Sequence, residues 1–349
     1  MTGEGDCPRY NAIMLRTLIA LVCGGILLAA SPALAQQVNF TGTTALTISA
    51  SPAHPGPNST VELTAESPLL DLAASDIKWD VNGSPVGSGQ SVQVKLGSLG
   101  QRTDVVVSVS GGSGNDSAEV VLVPTSIDLL WEADSYVPPF YLGRALPGSG
   151  SAIRLLAIPH FVRPDGSEVA SSGITYTWKV NGAVLKAQSG VGESSVVVPA
   201  AILYGSDTVT VDAATTGFSG EASVVVRTGD PQLVLYDDSP LFGILYHRAL
   251  GSSSGAAEAV TSFAAVPYFV DAPSPNDPNL AYAWSVNGSA VTADPQDPSE
   301  LTINAQSQGI AQVELSVSKP SDPFFSASGA WQVAFSAAGA GAGGTNVFH

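Results

Sequence analysis

Hydrophobic and polar positions alternate along most of this chain, and the alternation comes in short blocks. Val61, Leu63 and Ala65 are interleaved with Glu62 and Thr64, and Val105, Val107 and Val109 with Val106 and Ser108. Val313, Leu315 and Val317 are interleaved with Glu314 and Ser316. A period of two puts alternate side chains on one face of an extended backbone, so each block predicts a half-buried strand. Shorter β-branched or apolar runs at Val92 to Val94, Ala118 to Leu122, Val209 to Val211, Val224 to Val226 and Trp331 to Phe335 extend the series. Gly, Asn and Pro break it about every 8–12 residues, the spacing of turns in an antiparallel sandwich. Apolar residues at i, i+3, i+4 and i+7 are not sustained beyond the first hydrophobic block. The fold class is therefore all-β.

An internal repeat sets the organisation. Trp-x-Val-Asn-Gly occurs at Trp79 to Gly83, Trp178 to Gly182 and Trp284 to Gly288, so the tryptophans stand 99 and then 106 residues apart. Ile77, Tyr176 and Tyr282 each precede a tryptophan by two, which places them on the same strand face, and Asn-Gly closes a tight hairpin after it. Three such strings at domain spacing predict three tandem antiparallel immunoglobulin-like β-sandwiches over residues 38–124, 126–228 and 231–336. Trp79, Trp178 and Trp284 are their core residues. Junctions near Pro124 to Ser126 and Thr228 to Pro231 are too short to act as flexible linkers. Residues 337–349 read as a Gly/Ala-rich flexible tail.

The second and third copies share an insert that the first lacks. Ser135 to Leu146 (SYVPPFYLGRAL) parallels Ser239 to Leu250 (SPLFGILYHRAL), and Ala157 to Phe161 (AIPHF) parallels Ala265 to Phe269 (AVPYF). The whole pattern resembles bacterial immunoglobulin-like and PKD-type surface modules strung in tandem. That resemblance implies a non-enzymatic extracellular protein and makes the three tryptophans core residues of the third sandwich strand. Val-Asn-Gly departs from the Gly-Asp-Gly turn usual after the PKD tryptophan.

The first apolar block reads as an export signal rather than part of the fold. Arg16 supplies the positive region, Leu18 to Ala30 the apolar stretch and Ala33-Leu34-Ala35 a cleavage pattern, so residues 1–35 are expected to be removed. Met14 is a plausible true start. Both cysteines, Cys7 and Cys23, lie in this leader; the mature chain then has no disulfide, thiol nucleophile or Cys-ligated metal. No later stretch is apolar and long enough to span a membrane as a helix. The expected location is extracytoplasmic, secreted or at the cell surface. Thirteen basic against 30 acidic side chains give a net charge of −17, which argues against nucleic acid as a partner.

Candidate chemistry is sparse. The four histidines have no metal-ligand spacing, and no Walker loop or H-E-x-x-H helix occurs; no catalytic residue and no enzyme activity are expected. The one cofactor that the acidic loops could take is calcium, through Asp271, Asp277, Asp294, Asp297 and Glu300 around the third Trp strand, against the simpler reading of solvated turn carboxylates. A binding surface, if present, would lie on the insert: Tyr136, Phe140, Tyr141 and Arg144 in copy two, Phe242, Tyr246 and Arg248 in copy three. These aromatics could grip an extracellular protein or a glycan, as an adhesion module or a polysaccharide-binding or -degrading accessory protein would. The competing reading makes the insert an extra strand that covers a sheet edge or braces a domain joint, with its apolar side chains mostly buried.

Overall fold

A computed structural model describes residues 46–335 except 113, 203–204 and 258–259. The expected export signal and the expected Gly/Ala tail lie outside the described residues. Among these there is no α-helix, and the strands form six sheets that face each other in pairs.

In the first module β1 (Thr47–Ser51), β2 (Thr60–Glu66), β3 (Asp76–Val81) and β4 (Ser84–Ser88) are followed by β5 (Ser91–Lys95), β6 (Thr103–Gly111) and β7 (Gly114–Leu122). The sheet β1-β2-β5 faces β4-β3-β6-β7. Val61, Leu63 and Ala65 on β2 and Val105, Val107 and Val109 on β6 are buried between the two, while their polar neighbours face outward. This division is what the period-two pattern dictates when only one face of each sheet is covered.

The second module has β8 (Ser126–Asp134), β9 (Ala152–His160), β10 (Thr175–Val180) and β11 (Ala183–Val184), then β12 (Gly190–Val191), β13 (Ser195–Pro199), β14 (Ser206–Thr215) and β15 (Phe218–Arg227). Here β13-β9-β8 faces β11-β10-β14-β15, with β12 added to β10. The third module has β16 (Gln232–Ser239), β17 (Gly243–Ala249), β18 (Ser253–Ala257), β19 (Val260–Tyr268) and β20 (Ala281–Val286). It continues with β21 (Ser289–Val291), β22 (Glu300–Asn304), β23 (Gly309–Lys319) and β24 (Asp322–Phe335). Its sheets are β17-β16-β19-β22 and β18-β24-β23-β20-β21. Each sandwich encloses its own apolar core.

The repeated Trp-x-Val-Asn-Gly string is a structural unit with a specific job for each residue. Trp79, Trp178 and Trp284 are buried. Their indole N–H groups donate to backbone carbonyls of Gly89 (2.8 Å), Glu193 (2.8 Å) and Pro298 (3.0 Å), so each large ring is buried without an orphaned donor. Each Asn-Gly pair has both residues at positive φ, 51° and 76° in the first copy, 49° and 81° in the second, 50° and 78° in the third. This is the type I′ turn that suits a two-residue hairpin.

The asparagine does more than turn the chain. Asn82, Asn181 and Asn287 each donate the backbone N–H to, and accept through Oδ1 from, a single residue on the neighbouring long strand: Asp104, Thr208 and Gln312. Each hairpin is thereby pinned to the sheet centre. We expect Asn181→Ala to cost about 2 kcal/mol in urea unfolding, because it removes the Oδ1 acceptor of the Thr208 N–H and the polar side chain that makes the left-handed conformation tolerable. Asn181→Gly should recover part of the loss, since glycine tolerates that φ.

Candidate functional site

The joint between the second and third modules gathers most of the aromatic residues singled out above. Leaving β8, the chain passes Ser135 and crosses to the third module at Tyr136. The Tyr136 N–H donates to the Val270 carbonyl at 2.8 Å, and its own carbonyl accepts from Phe269 N–H at 2.7 Å. These two backbone bonds join residues 134 and 133 positions apart in the sequence. Phe269 is held at φ +64°, a conformation that costs a bulky residue roughly 1–2 kcal/mol and persists where neighbours over-determine it.

A chain of tyrosines surrounds this clamp. The Tyr136 ring packs against the third core, and its hydroxyl pairs with that of Tyr246 on β17. Burial, reinforced by Tyr246, pushes Tyr136 up to about 12, so it stays neutral at physiological pH. Tyr246 meets Tyr236 edge to face at 5.5 Å, and the Tyr236 hydroxyl bonds that of Tyr268 at 2.6 Å. Tyr141 returns from the insert to sit edge-on against both Tyr268 (5.8 Å) and Phe269 (5.9 Å). Burial also raises Tyr268 and Tyr282, whose hydroxyl donates to the Pro275 carbonyl at 2.7 Å.

Glycine permits the closest approach. A Cβ on Gly148 would stand 2.3 Å from the Phe269 carbonyl oxygen. The first joint repeats the arrangement: a Cβ on Gly100 would stand 2.3 Å from the Val162 carbonyl oxygen. There, Gly100 N–H donates to Pro124, Thr125 N–H donates to Pro55, and the buried Thr125 hydroxyl donates to the Ser219 carbonyl at 2.7 Å. In both joints the turn that follows the second long strand of one module abuts the far end of the module before it.

The two inserts take different forms. Gly243 to Ala249 is strand β17, paired with β16 and covering its edge; Arg248 reaches Asp237 at 3.6 Å. The matching segment Pro139 to Ala145 forms no strand, and β8 remains an edge. The reason is readable in the alignment. Gly243 turns the third-module hairpin at φ +71°, whereas its counterpart is Pro139, whose ring fixes φ near −65°. So the segment is diverted onto the joint, and Arg144 stacks over the Trp131 ring at 4.4 Å on the uncovered β8.

The expectation that the insert's apolar side chains are mostly buried needs correction. Phe140 is 89% exposed, at φ +67°, and Leu142, Leu241 and Phe242 are also in solvent. Phe140 and Phe242 sit at turn tips, where no sheet face lies beneath them. Tyr136 and Tyr246 are half-buried in the joint, Tyr141 touches it edge-on while remaining 36% exposed, and Arg144 and Arg248 stay largely exposed.

The five acidic residues considered for calcium are not brought together; among the described residues no group of three or more metal-ligating side chains forms. Asp271 pairs with Lys319 at 2.6 Å. Asp277 accepts from Asn279 N–H and Asp294 from Gln296 N–H, the ordinary use of aspartate in turns. Asp297 accepts from the Asn276 amide. Glu300 lies near Asp238 and Asp297 and is raised chiefly by burial.

Sequence reasoning missed Tyr236, Phe269, Gly148 and Gly100. Phe269 was visible only as part of AVPYF, a motif that marks where the preceding module is met.

No known protein family matches the chain, and no curated protein matches it. Among solved structures it is similar to three domains of the outer capsid protein Hoc of bacteriophage RB49, at 12% identity over 85% of this chain and 99% of that one, with a TM-score of 0.23. Fibronectin III-like modules of Clostridium thermocellum CbhA match at 13% identity over 63% and 100%, with a TM-score of 0.22. A Bacteroides ovatus protein, SGBP-B, solved with a mixed-linkage heptasaccharide, matches at 14% over 80% and 64%, with a TM-score of 0.23. At these scores the likeness says nothing of what the chain does, and the fold rests on its own sheet topology.

Proposed function

We propose that this chain is a non-enzymatic, exported spacer or assembly module, whose work is to hold three immunoglobulin-like sandwiches in a fixed line. The observation that carries this reading is the pair of clamped joints. The second is closed by two cross-module backbone hydrogen bonds and the first by the Thr125 hydroxyl on the Ser219 carbonyl, and in each a glycine is pressed on a carbonyl, where a flexible array would have polar linkers free of contacts. The tyrosine chain reinforces the second joint.

A glycan platform finds less support. A sugar needs open aromatic faces, and here the rings of Tyr136, Tyr141, Tyr246 and Trp131 are engaged by one another, by Tyr236 and Tyr268, or by Arg144. Phe140 and Phe242 are open but stand on different modules.

Three sandwiches in line should make a rod on the order of 110 Å long. Small-angle scattering of residues 36–349 at low concentration is expected to give that maximum dimension with the signature of a rigid rod. A compact particle, or the broad profile of a flexible chain of beads, would contradict the spacer reading.

A further inference from the structure

Among the described residues, nothing covers the far end of the third module, the place where each earlier module receives the next. In the second module this end is built from the segment after β8 and the turn before β9, and it takes up Phe269 and Val270. In the third module the corresponding segment is the tip between β16 and β17. Leu241 and Phe242 at that tip are 80% and 77% exposed. The register carries the apolar surface further. Ser239 pairs with Gly243 and Asp238 with Ser262, which places Val260, at the start of β19, beside the tip. Gly309 pairs with Phe335 where β23 begins, and Ile310 follows it. Val260 is 57% and Ile310 69% exposed.

Four large apolar side chains at one end of a sandwich are unusual for a surface that meets only water. The structure itself shows twice what covers such an end: the turn after the second long strand of another module. Among the described residues, that turn is uncovered at the near end of the first module too. In the first module it follows β2 and carries Leu69, 74% exposed, with Leu70 packed inward on the core.

We infer that the far end of the third module binds the near end of the first module in a second copy of the chain, head to tail, with the turn after the second long strand docking on the far end as it does twice within the chain. Leu69 and its turn dock against Leu241, Phe242, Val260 and Ile310. The contact is heterologous, so it does not close on itself and each copy offers both halves; the product is a filament that continues the rod. The two internal joints are helped by a covalent tether equivalent to a millimolar local concentration, and this one is not. Association is therefore weak in dilute solution and favoured where copies are crowded on a surface. The inference rests on the spacer reading, because it extends the clamped joint to a partner copy. Scattering from the dilute monomer tests the internal joints, and association tests the external one, so either can fail alone.

Sedimentation velocity of the purified full chain up to about 1 mM should show mass rising with concentration beyond the dimer. The double variant Leu241→Asp with Phe242→Asp, and separately Leu69→Asp, should each lower self-association at least tenfold with an unchanged melting temperature, since all three side chains are already in solvent. Mixing the two variants should restore a one-to-one complex that stops at the dimer, because each retains one working end. A wild-type chain that stays monomeric at about 1 mM overturns the inference. So does a Leu69→Asp protein that still associates with itself, which would make the contact tail to tail.

Discussion

Trp178→Ala is expected to unfold the second module. The side chain is fully buried between β10 and the facing sheet, among Ile153, Leu155, Val196, Val198 and Val211. Truncating a buried tryptophan of this kind costs about 3–5 kcal/mol through lost transfer energy and the cavity left behind. The Glu193 carbonyl also loses its indole donor. Since a domain of this size has a total stability of about 5–15 kcal/mol, the change removes much of it. Circular dichroism and heating should show a lowered first transition that belongs to the second module. Trp178→Phe should fall between the two, because it keeps most of the volume and gives up the hydrogen bond. A Trp178→Ala protein with native melting behaviour would contradict the assignment of this residue as the keystone of its core.

Gly148→Val is expected to open the second joint while leaving both flanking modules folded. The added Cβ meets the Phe269 carbonyl oxygen at 2.3 Å, far inside van der Waals contact. The opposing backbone cannot simply retreat, because Phe269 N–H is bonded to Tyr136 and Tyr136 N–H to Val270. Two backbone bonds and the packing of the Tyr136 ring are then at stake, about 2–4 kcal/mol together. Hydrogen exchange should accelerate by one to three orders of magnitude at the amides of Tyr136, Phe269 and Val270, and melting should separate into independent transitions. The control is Gly229→Ala. It lies at the same joint, but its Cβ would enter open space, and it should leave exchange unchanged.

The sandwiches were legible in the sequence because their information is local. A tryptophan two residues after an aliphatic or aromatic, followed by Asn-Gly, states a strand face and a turn type within seven positions. The pinning role of Asn82, Asn181 and Asn287 was not legible in that way, because it depends on strands more than twenty residues downstream. The joints were harder still. Tyr136 meets Val270 through backbone groups, and no periodicity records which carbonyl a distant amide will find. One signal was present and could have been read: Pro139 stands where the third copy has Gly243. A proline cannot take the positive φ that closes the hairpin, so the second insert had to go elsewhere. The acidic loops left calcium and turn capping both open for a related reason. Aspartates that cap turn amides and aspartates that ligate calcium occupy similar loop positions, and only their mutual distances tell them apart.

The central claim is that the modules are held rigidly in line, and the absence of native thiols after Cys23 makes a direct test practical. Cysteines placed at Val184 on β11 and Val291 on β21, both exposed edge positions, can carry spin labels on either side of the second joint. Pulsed electron resonance should then give one narrow distance distribution, and Gly148→Val should broaden it. A broad distribution in the protein with its joint unaltered would show that the modules move independently, and the clamped-rod account would fall.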